Sequence, residues 1–237
     1  MFISEELLIK SAAEFSVELT GNQIDMFDKY ASMLVDYNQK VNLTAITDPD
    51  EIVIKHFSDS LAVCKYAPCE LKGKLADVGT GAGFPGMPLL IVSPGLKVTF
   101  FDAVNKKLDF IRYVVNELGL DADVIHSRAE DAGRSPEYRE KFDFATARAV
   151  AQLRILSEFC LPLVKVGGYF ISMKGTISEE EKTFGTAAFN KVGAELYDDI
   201  FYSIYNGDER NIIISKKVSQ ISSKYPRNMG QISKKPL

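Results

Sequence analysis

The sequence lacks several features that would mark particular classes of protein. It has no tryptophan, only two histidines, and three cysteines (Cys64, Cys69 and Cys160) whose spacing matches no zinc motif. It has no apolar run near the roughly 18 residues that cross a bilayer, and its first residues lack the basic and apolar regions of a signal peptide. We therefore expect a cytoplasmic protein with free thiols, no metal site and no membrane partner.

The chain of 237 residues is long enough for a full hydrophobic core, and 46% of its residues are hydrophobic. Its net charge of −4 is unevenly distributed. Residues 216–237 contain six lysines or arginines and no acid, so the first 215 residues carry 22 basic and 32 acidic side chains, a net −10. A basic segment on an acidic body is typical of a polyanion-binding tail, but a solubilising, disordered terminus has the same composition.

The first 70 residues have the pattern of an N-terminal helical extension. Residues 20–23 have capping-box spacing, and one buried helix face follows, formed by Ile24, Phe27, Ala31, Leu34 and Val41. A second helix start lies at Asp48, with Pro49 at the first helical position and Glu51 closing the box. His56 falls on this second helix, where its spacing fits either a structural role or a place in a site.

From residue 74 onward, short apolar runs alternate with amphipathic stretches, which predicts an α/β fold with a mostly parallel sheet. The last two runs flank Asn206 and Gly207 and predict an antiparallel hairpin. The predicted strands are 74–78, 98–102, 123–126, 142–147, 168–173, 199–205 and 210–216, and the predicted helices are 105–118, 149–163 and one from residue 178 towards 193. We therefore expect a helical extension (1–70), a central domain (71–217) and an irregular basic tail (218–237).

A glycine-rich turn, with Gly79, Gly81 and Gly83, follows the first predicted strand, where a backbone can approach a ligand closely. Residues 81–86 also match the dinucleotide motif, with Asp102 roughly 20 residues on at a strand end. Asp77 before the three glycines, and the hairpin after a fifth strand, favour S-adenosylmethionine over a nicotinamide cofactor. A purely structural turn is the third interpretation.

Over nearly its whole length the chain resembles the bacterial 16S ribosomal RNA guanine-N7 methyltransferases, the glucose-inhibited division protein B family. The matching segments are 42–46 (NLTAI), 55–61 (KHFSDSL), 77–86 (DVGTGAGFPG), 127–130 (SRAE), 147–149 (ARA), 173–175 (MKG), 209–211 (ERN), 224–227 (KYPR) and 234–237 (KKPL). Asn211 departs from the pattern, because many relatives have histidine there.

The resemblance implies a class I S-adenosylmethionine-dependent methyltransferase (Rossmann-like) fold with a mostly parallel seven-stranded sheet. It implies transfer of a methyl group to N7 of a guanine in the 530 loop of 16S rRNA, with S-adenosylhomocysteine as product and 16S rRNA or the small ribosomal subunit as partner. We expect a monomer. The implied cofactor contacts are Gly79, Phe84, Ala129, Glu130 and Arg148, and the glycine turn and the ribose chemistry add Gly81, Gly83 and Asp102.

Guanine N7 carries a free lone pair at neutral pH, so this methylation needs no general base. Catalysis then depends on positioning and electrostatics, for which Arg148, Arg128 and Arg210 are candidates. Arg148 would serve either the cofactor carboxylate or the RNA. Cations above the carboxyl ends of the strands, together with the tail, give the predicted RNA contacts, which are Lys106, Arg128, Arg210, Lys224 and Arg227.

Four of these assignments have a simpler alternative. Phe84 also fits a core position, Asp102 a strand end, and Glu130 and Lys106 a solvated surface. At the level of function, the alternatives are a methyltransferase acting on a small molecule and a non-catalytic, ribosome-associated factor that binds S-adenosylmethionine.

Overall fold

The computed structural model describes residues 1–148 and 151–237, and its centre is a single mixed sheet. In these residues the strands are β1 (Gly73–Val78), β2 (Leu96–Asp102), β3 (Ala122–His126), β4 (Phe142–Arg148), β5 (Val164–Lys174), β6 (Ala194–Ser203) and β7 (Glu209–Lys217). They lie in the order β3-β2-β1-β4-β5-β7-β6. The first five pair in parallel, whereas β7 is antiparallel to β5 and β6. The predicted sheet and C-terminal hairpin are therefore confirmed.

Helices cover both faces of the sheet. In the described residues they are α1 (Glu5–Ala13), α2 (Gly21–Asn38), α3 (Pro49–Ile52), α4 (Asp59–Tyr66), α5 (Gly86–Val92), α6 (Asn105–Glu117), α7 (Ala129–Ala132), α8 (Leu153–Cys160), α9 (Glu179–Lys191) and α10 (Met229–Lys234). Phe100 packs in the core under α2, α5 and α6, and its neighbour Phe101 packs in the core under α8 and α9. Alternate side chains of a strand point to opposite faces, so each face has its own core.

The helical starts predicted for the first 70 residues are confirmed. Thr20 and Gln23 form the capping box of α2, and the Asp48 side chain accepts a hydrogen bond from the Glu51 N–H. The second helix differs from the prediction, because the chain continues from α3 as a π-helix (Val53–Ser58) before α4. Such π-helical turns are rare and often lie at functional sites. This one carries His56.

Further segments differ from the sequence-based prediction, among them β6, which begins at Ala194 instead of residue 199. A helix was predicted over 149–163, of which residues 149 and 150 lie outside the described residues. The observed helix α8 begins at Leu153 and ends at Cys160. It ends two residues before Pro162, which cannot donate a helical hydrogen bond. Strand β5 begins at Val164, where it pairs with Phe142, earlier than predicted. The tail, predicted to be irregular, contains α10. The domain limits predicted at residues 70 and 217 fall before β1 and at the end of β7, respectively.

Candidate active site

The glycine-rich turn connects β1 to α5 and packs closely against the N-terminal helices. Gly83 has φ +103°, and a Cβ there would lie 2.7 Å from the Tyr30 hydroxyl oxygen. The same hydroxyl donates to the Ala82 carbonyl at 2.5 Å. Gly81 has φ +59° with no atom within 4 Å of a Cβ position, so its outer side is open. The turn is thus held from one side and exposed on the other.

Two aspartates brace this turn from the sheet. Asp77 Oδ2 accepts from the Thr80 hydroxyl at 2.6 Å and from the Gly86 N–H at 3.0 Å, and burial raises the pKa of Asp77 to about 6. Asp102 Oδ2 accepts from the Gly81 N–H at 3.0 Å, and its Oδ1 accepts from the Val104 N–H at 2.8 Å. Asp77 is fully buried, so of the two only Asp102 can also contact a ligand.

A cavity of about 410 Å³ opens beside the turn, at the carboxyl ends of β1, β2, β3 and β4. This volume lies within the ~300–1,000 Å³ typical of small-molecule sites, and the position is the one where open parallel sheets bind ligands. Its walls are formed by Val78, Gly79, Phe101, Asp102, Ala103, Lys107, Ser127, Arg128, Ala129, Glu130, Arg148, Phe159 and Met229.

The cavity brings together most of the residues predicted to bind the cofactor. Five of the eight line it, namely Gly79, Asp102, Ala129, Glu130 and Arg148. The other three do not line it. Gly81 and Gly83 shape the turn, and Phe84 is buried beneath the His56 ring and the Arg148 guanidinium, with 4.4 Å between the two ring centroids and 4.8 Å from the Arg148 Cζ to the Phe84 ring.

Arg148 joins the end of β4 to the π-helix. Its Nη1 lies 3.2 Å from Asp59 Oδ2 and within 3.4 Å of the carbonyl oxygens of Lys55 and His56. Only 13% of its side chain is exposed, so the ion pair with Asp59 is shielded from solvent. The N-terminal segment therefore sets the position of the guanidinium at the cavity wall.

His56 is neutral in this arrangement. Arg148 Nη2 donates to His56 Nδ1 at 3.4 Å, and because a guanidinium can only donate, Nδ1 must be unprotonated. Nε2 then carries the proton and donates to the Thr44 hydroxyl oxygen at 2.9 Å. Burial and the charge of Arg148 lower the pKa of His56 to about 3, which agrees with this tautomer. The sequence left open whether His56 is structural or part of a site. In the structure its side chain supports Arg148 at the cavity wall.

A second arginine reaches the same carboxylate. Arg210 Nε lies 3.5 Å from Asp59 Oδ1, which also accepts from the Tyr202 hydroxyl at 2.9 Å. Asp59 is 4% exposed, so one buried carboxylate contacts both Arg148 and Arg210. Asn211, the position that departs from the family pattern, is fully buried and donates to Asp199 Oδ1 at 2.6 Å.

The cations predicted to bind RNA occupy different environments. Arg128 lines the cavity, whereas Lys106 is exposed in the first turn of α6 and its neighbour Lys107 forms the wall instead. Lys224 is exposed, with its Nζ 5.0 Å from the centre of the Tyr225 ring. Arg227 is engaged in a hydrogen-bonded ion pair, its Nη2 2.7 Å from Glu158 Oε2. The RNA contacts themselves stay a prediction.

Sequence reasoning missed several residues of the wall. Lys107 and Ser127 follow the ends of β2 and β3, so their distance from a strand end could have indicated them. Phe159 and Met229 gave no such signal, because they lie on a helix and in the tail. Within residues 1–148 and 151–237, no cluster of acidic, histidine or cysteine side chains is arranged to hold a metal. No helix in that part of the chain combines the length and apolarity of a membrane span.

Solved structures share this fold. A putative methyltransferase from Bacillus halodurans aligns over 68% of this chain and 100% of its own, with a TM-score of 0.53 and 14% identity. TYW2 from M. jannaschii, solved in complex with AdoMet, aligns over 63% of this chain and 70% of its own, with a TM-score of 0.51 and 15% identity. The sheet order and the cavity at its carboxyl edge are those of the class I S-adenosylmethionine-dependent methyltransferase fold.

Sequence comparison identifies the family. The profile of rRNA small subunit methyltransferase G matches residues 23–212. Ribosomal RNA small subunit methyltransferase G of Acetivibrio thermocellus is 46% identical over 98% of this chain and 96% of its own, and that of Leuconostoc mesenteroides is 43% identical over 99% and 100%. The chain belongs to this family. The predicted resemblance, fold and cofactor are confirmed, and the nicotinamide interpretation of the glycine motif is wrong.

Proposed function

We propose that this enzyme transfers a methyl group from S-adenosylmethionine to N7 of a guanine in the 530 loop of 16S rRNA. The observation that carries the proposal is a cofactor-sized cavity bordered by cations, in a chain that is 46% identical over nearly its full length to a ribosomal RNA small subunit methyltransferase G. An rRNA substrate implies action in the cytoplasm. We also propose that the monomer is the active form.

The cavity suits the cofactor because its polar groups are spaced along one wall. We assign the methionine end to Gly79 on the turn, the ribose to Asp102 and the adenine to Ala129 and Glu130, which follow β3. Each Asp102 oxygen accepts one backbone N–H and retains a lone pair for a ribose hydroxyl. Bound S-adenosylmethionine supplies an electrophilic methyl group on a sulfonium cation.

The site offers positioning rather than proton transfer. Asp77 is buried behind the turn, and the one free lone pair of the His56 ring, on Nδ1, already accepts a hydrogen bond from Arg148 Nη2, so neither is available as a base. Attack by the free lone pair of guanine N7 needs no base, which agrees with this arrangement. The enzyme would accelerate the reaction by holding N7 in line with the methyl carbon and by tolerating the charge that develops on the purine.

Three arginines are the candidates for positioning the nucleotide. Arg148 and Arg128 line the cavity, and Arg210 shares Asp59 with Arg148. The common recognition of guanine by arginine occupies both O6 and N7, which would block the attacking atom. We therefore propose that the enzyme reads guanine at O6 or at its Watson–Crick edge. A product complex with an arginine donor on N7 would contradict this assignment.

The test uses small ribosomal subunits from a strain that lacks this methyltransferase. The subunits are incubated with the protein and methyl-labelled S-adenosylmethionine, and N7-methylguanine is then mapped by chemical strand cleavage. Label at one guanine of the 530 loop is the expected result, and naked 16S rRNA in parallel shows which form is the substrate. Label only on small metabolites would instead support a small-molecule methyltransferase. Cofactor binding without transfer to any acceptor would support a non-catalytic ribosome-associated factor.

A further inference from the structure

The C-terminal segment, residues 218–237, folds back onto the enzyme. Ile221, Tyr225 and Ile232 are at most 9% exposed, and all three pack in the core under α8 and α9. The segment follows β7, the last strand of the sheet. It is ordered and lies on the same side of the sheet as α8.

One set of contacts ties the segment to α7 and the loop that follows it. Arg139 Nη1 donates to the Tyr225 carbonyl at 2.8 Å and to the Gly133 carbonyl at 2.9 Å. Arg134 Nε donates to the Pro226 carbonyl at 3.0 Å. A Cβ on Gly133 would lie 3.0 Å from Pro226 Cγ, so the segment lies directly against the end of α7. Helix α7 begins with Ala129 and Glu130, which line the cavity.

A second anchor ties the segment to α8. The Arg227 side chain donates to both carboxylate oxygens of Glu158, at 2.9 Å from Nε to Oε1 and 2.7 Å from Nη2 to Oε2. The Arg227 backbone N–H also donates to Oε1, at 2.7 Å. Glu158 is fully buried, and the carboxylate precedes Phe159, an apolar residue of the cavity wall. A buried carboxylate with a bidentate arginine partner holds the partner in one geometry.

These anchors bring Met229 to the cavity wall. Met229 begins α10, two residues after Arg227, and lies one helical turn before the buried Ile232. It is 40% exposed and lines the cavity together with Phe159. A thioether is flexible and favours contact with aromatic rings. Because Pro226 lies against the end of α7 and Arg227 is bound to α8, we place the side chain near these two helices, and α7 contributes Ala129 and Glu130 to the cavity wall.

We propose that the C-terminal segment completes the cofactor site, with Met229 in contact with the adenine and the Arg227–Glu158 pair holding Met229 in place. This inference rests on the proposed binding of S-adenosylmethionine in the cavity. Arg227 is then a positioning residue for the cofactor, since the Glu158 carboxylate already engages its guanidinium.

The first test measures ligand affinity of the full chain by isothermal titration calorimetry, with S-adenosylhomocysteine and with 5′-methylthioadenosine, which lacks the amino-acid part. Met229→Ala should weaken both ligands by the same factor, about 2- to 10-fold, because the lost contact is with the adenine. Met229→Leu should restore most of the affinity. Gln231→Ala, an exposed change in the same helix, is the matched control and should bind as the unchanged chain does.

The second test separates positioning from stability. Arg227→Met should weaken S-adenosylhomocysteine by about as much as Met229→Ala, and the double variant should show no further loss, because both changes act through one contact. Arg227→Lys should retain part of the affinity, since lysine keeps the charge but not the bidentate geometry. A purely structural role for Arg227 would lower the melting temperature and leave the affinity of the folded protein unchanged.

Unchanged affinity in Arg227→Met would overturn the positioning role of Arg227, and two further outcomes separate this inference from the proposed function. Unchanged affinities in Met229→Ala would overturn the inference alone and leave the proposed function standing. No binding of S-adenosylhomocysteine to the unchanged chain would overturn the proposed function, and this inference with it.

Discussion

Arg148 and His56 form a hydrogen bond between the end of β4 and the π-helix, with 3.4 Å between Arg148 Nη2 and His56 Nδ1. Both side chains also stack on Phe84, which lies buried beneath them. The bond requires a neutral imidazole, so the position of a cavity-wall arginine depends on a histidine in a different part of the chain. The first two predictions follow from this pair.

His56→Gln should reduce the loss of stability on acidification. The pKa of His56 is about 3 in the folded protein against an ordinary 6.5, so its contribution is complete above pH 6.5 and is lost as the pH falls from 6.5 towards 3. At pH 5 the loss amounts to about 2 kcal/mol. Denaturant unfolding at pH 7.5 and pH 5 measures it in both proteins. His126→Gln, an exposed change, is the control, and an equal loss in the unchanged chain and His56→Gln would contradict the assignment.

Arg148→Ala should lower kcat/KM for methyl transfer by about 100-fold or more, because a preoriented charge at the reaction site is removed. Separate measurement of S-adenosylhomocysteine affinity and of KM for the subunit decides whether the arginine serves the cofactor or the RNA. The matched control is Arg154→Ala, which removes a guanidinium that lies over Phe184 away from the cavity. Turnover near that of the unchanged enzyme would show that Arg148 has no role in methyl transfer.

Asp102→Asn should weaken S-adenosylhomocysteine about 10- to 100-fold, which corresponds to the loss of a hydrogen bond to a charged group. An amide has one acceptor oxygen, so it cannot accept from the N–H groups of Gly81 and Val104 and also serve both ribose hydroxyls. Calorimetric titration measures the change, with Asp121→Asn on the exposed surface as control. An affinity within twofold of the original value would show that Asp102 only ends the strand.

Lys224→Ala should reduce the salt dependence of RNA binding. If the exposed ammonium meets a phosphate of a single-stranded region, the slope of log affinity against log salt becomes shallower by about 0.7. Filter binding to 16S rRNA at several salt concentrations measures the slope. Lys97→Ala removes an exposed cation near the amino end of β2, the edge away from the cavity, and serves as the control. An unchanged slope for Lys224→Ala would exclude this lysine from the interface.

Gly83→Ala should destabilise the fold by about 1–3 kcal/mol from backbone strain alone, since φ is +103°, with a further cost from contact with the Tyr30 hydroxyl. Gly95→Ala, where the nearest atom to a Cβ is 3.5 Å away, should be tolerated. Thermal unfolding of the two variants makes the comparison. Equal melting temperatures would mean that the turn adjusts to a side chain.

Local signals predicted the elements of the fold well. Capping by Thr20 and Asp48, and the apolar runs of β1 to β4, each depend on a few neighbouring residues, so they are visible in the sequence. The π-helix over Val53–Ser58 was not predicted, because its register is set by packing and by Arg148, which is remote in the chain. The helix in the tail has a local cap, since the Asn228 side chain accepts from the Gln231 N–H, but the tail is held on the fold by the remote residues Arg139 and Glu158.

The sequence by itself determined the family, the cofactor and the sheet, because motifs and hydrophobic periods involve residues that are close together in the chain. It also indicated Gly79, Asp102, Ala129, Glu130 and Arg148, since residues that follow parallel strands must meet at one edge. Only the tertiary structure decided which charges are paired. The pairs Asp59 with Arg148 and Glu158 with Arg227 join residues that are 89 and 69 positions apart. No local pattern encodes such contacts, because they arise when separate elements pack on one core.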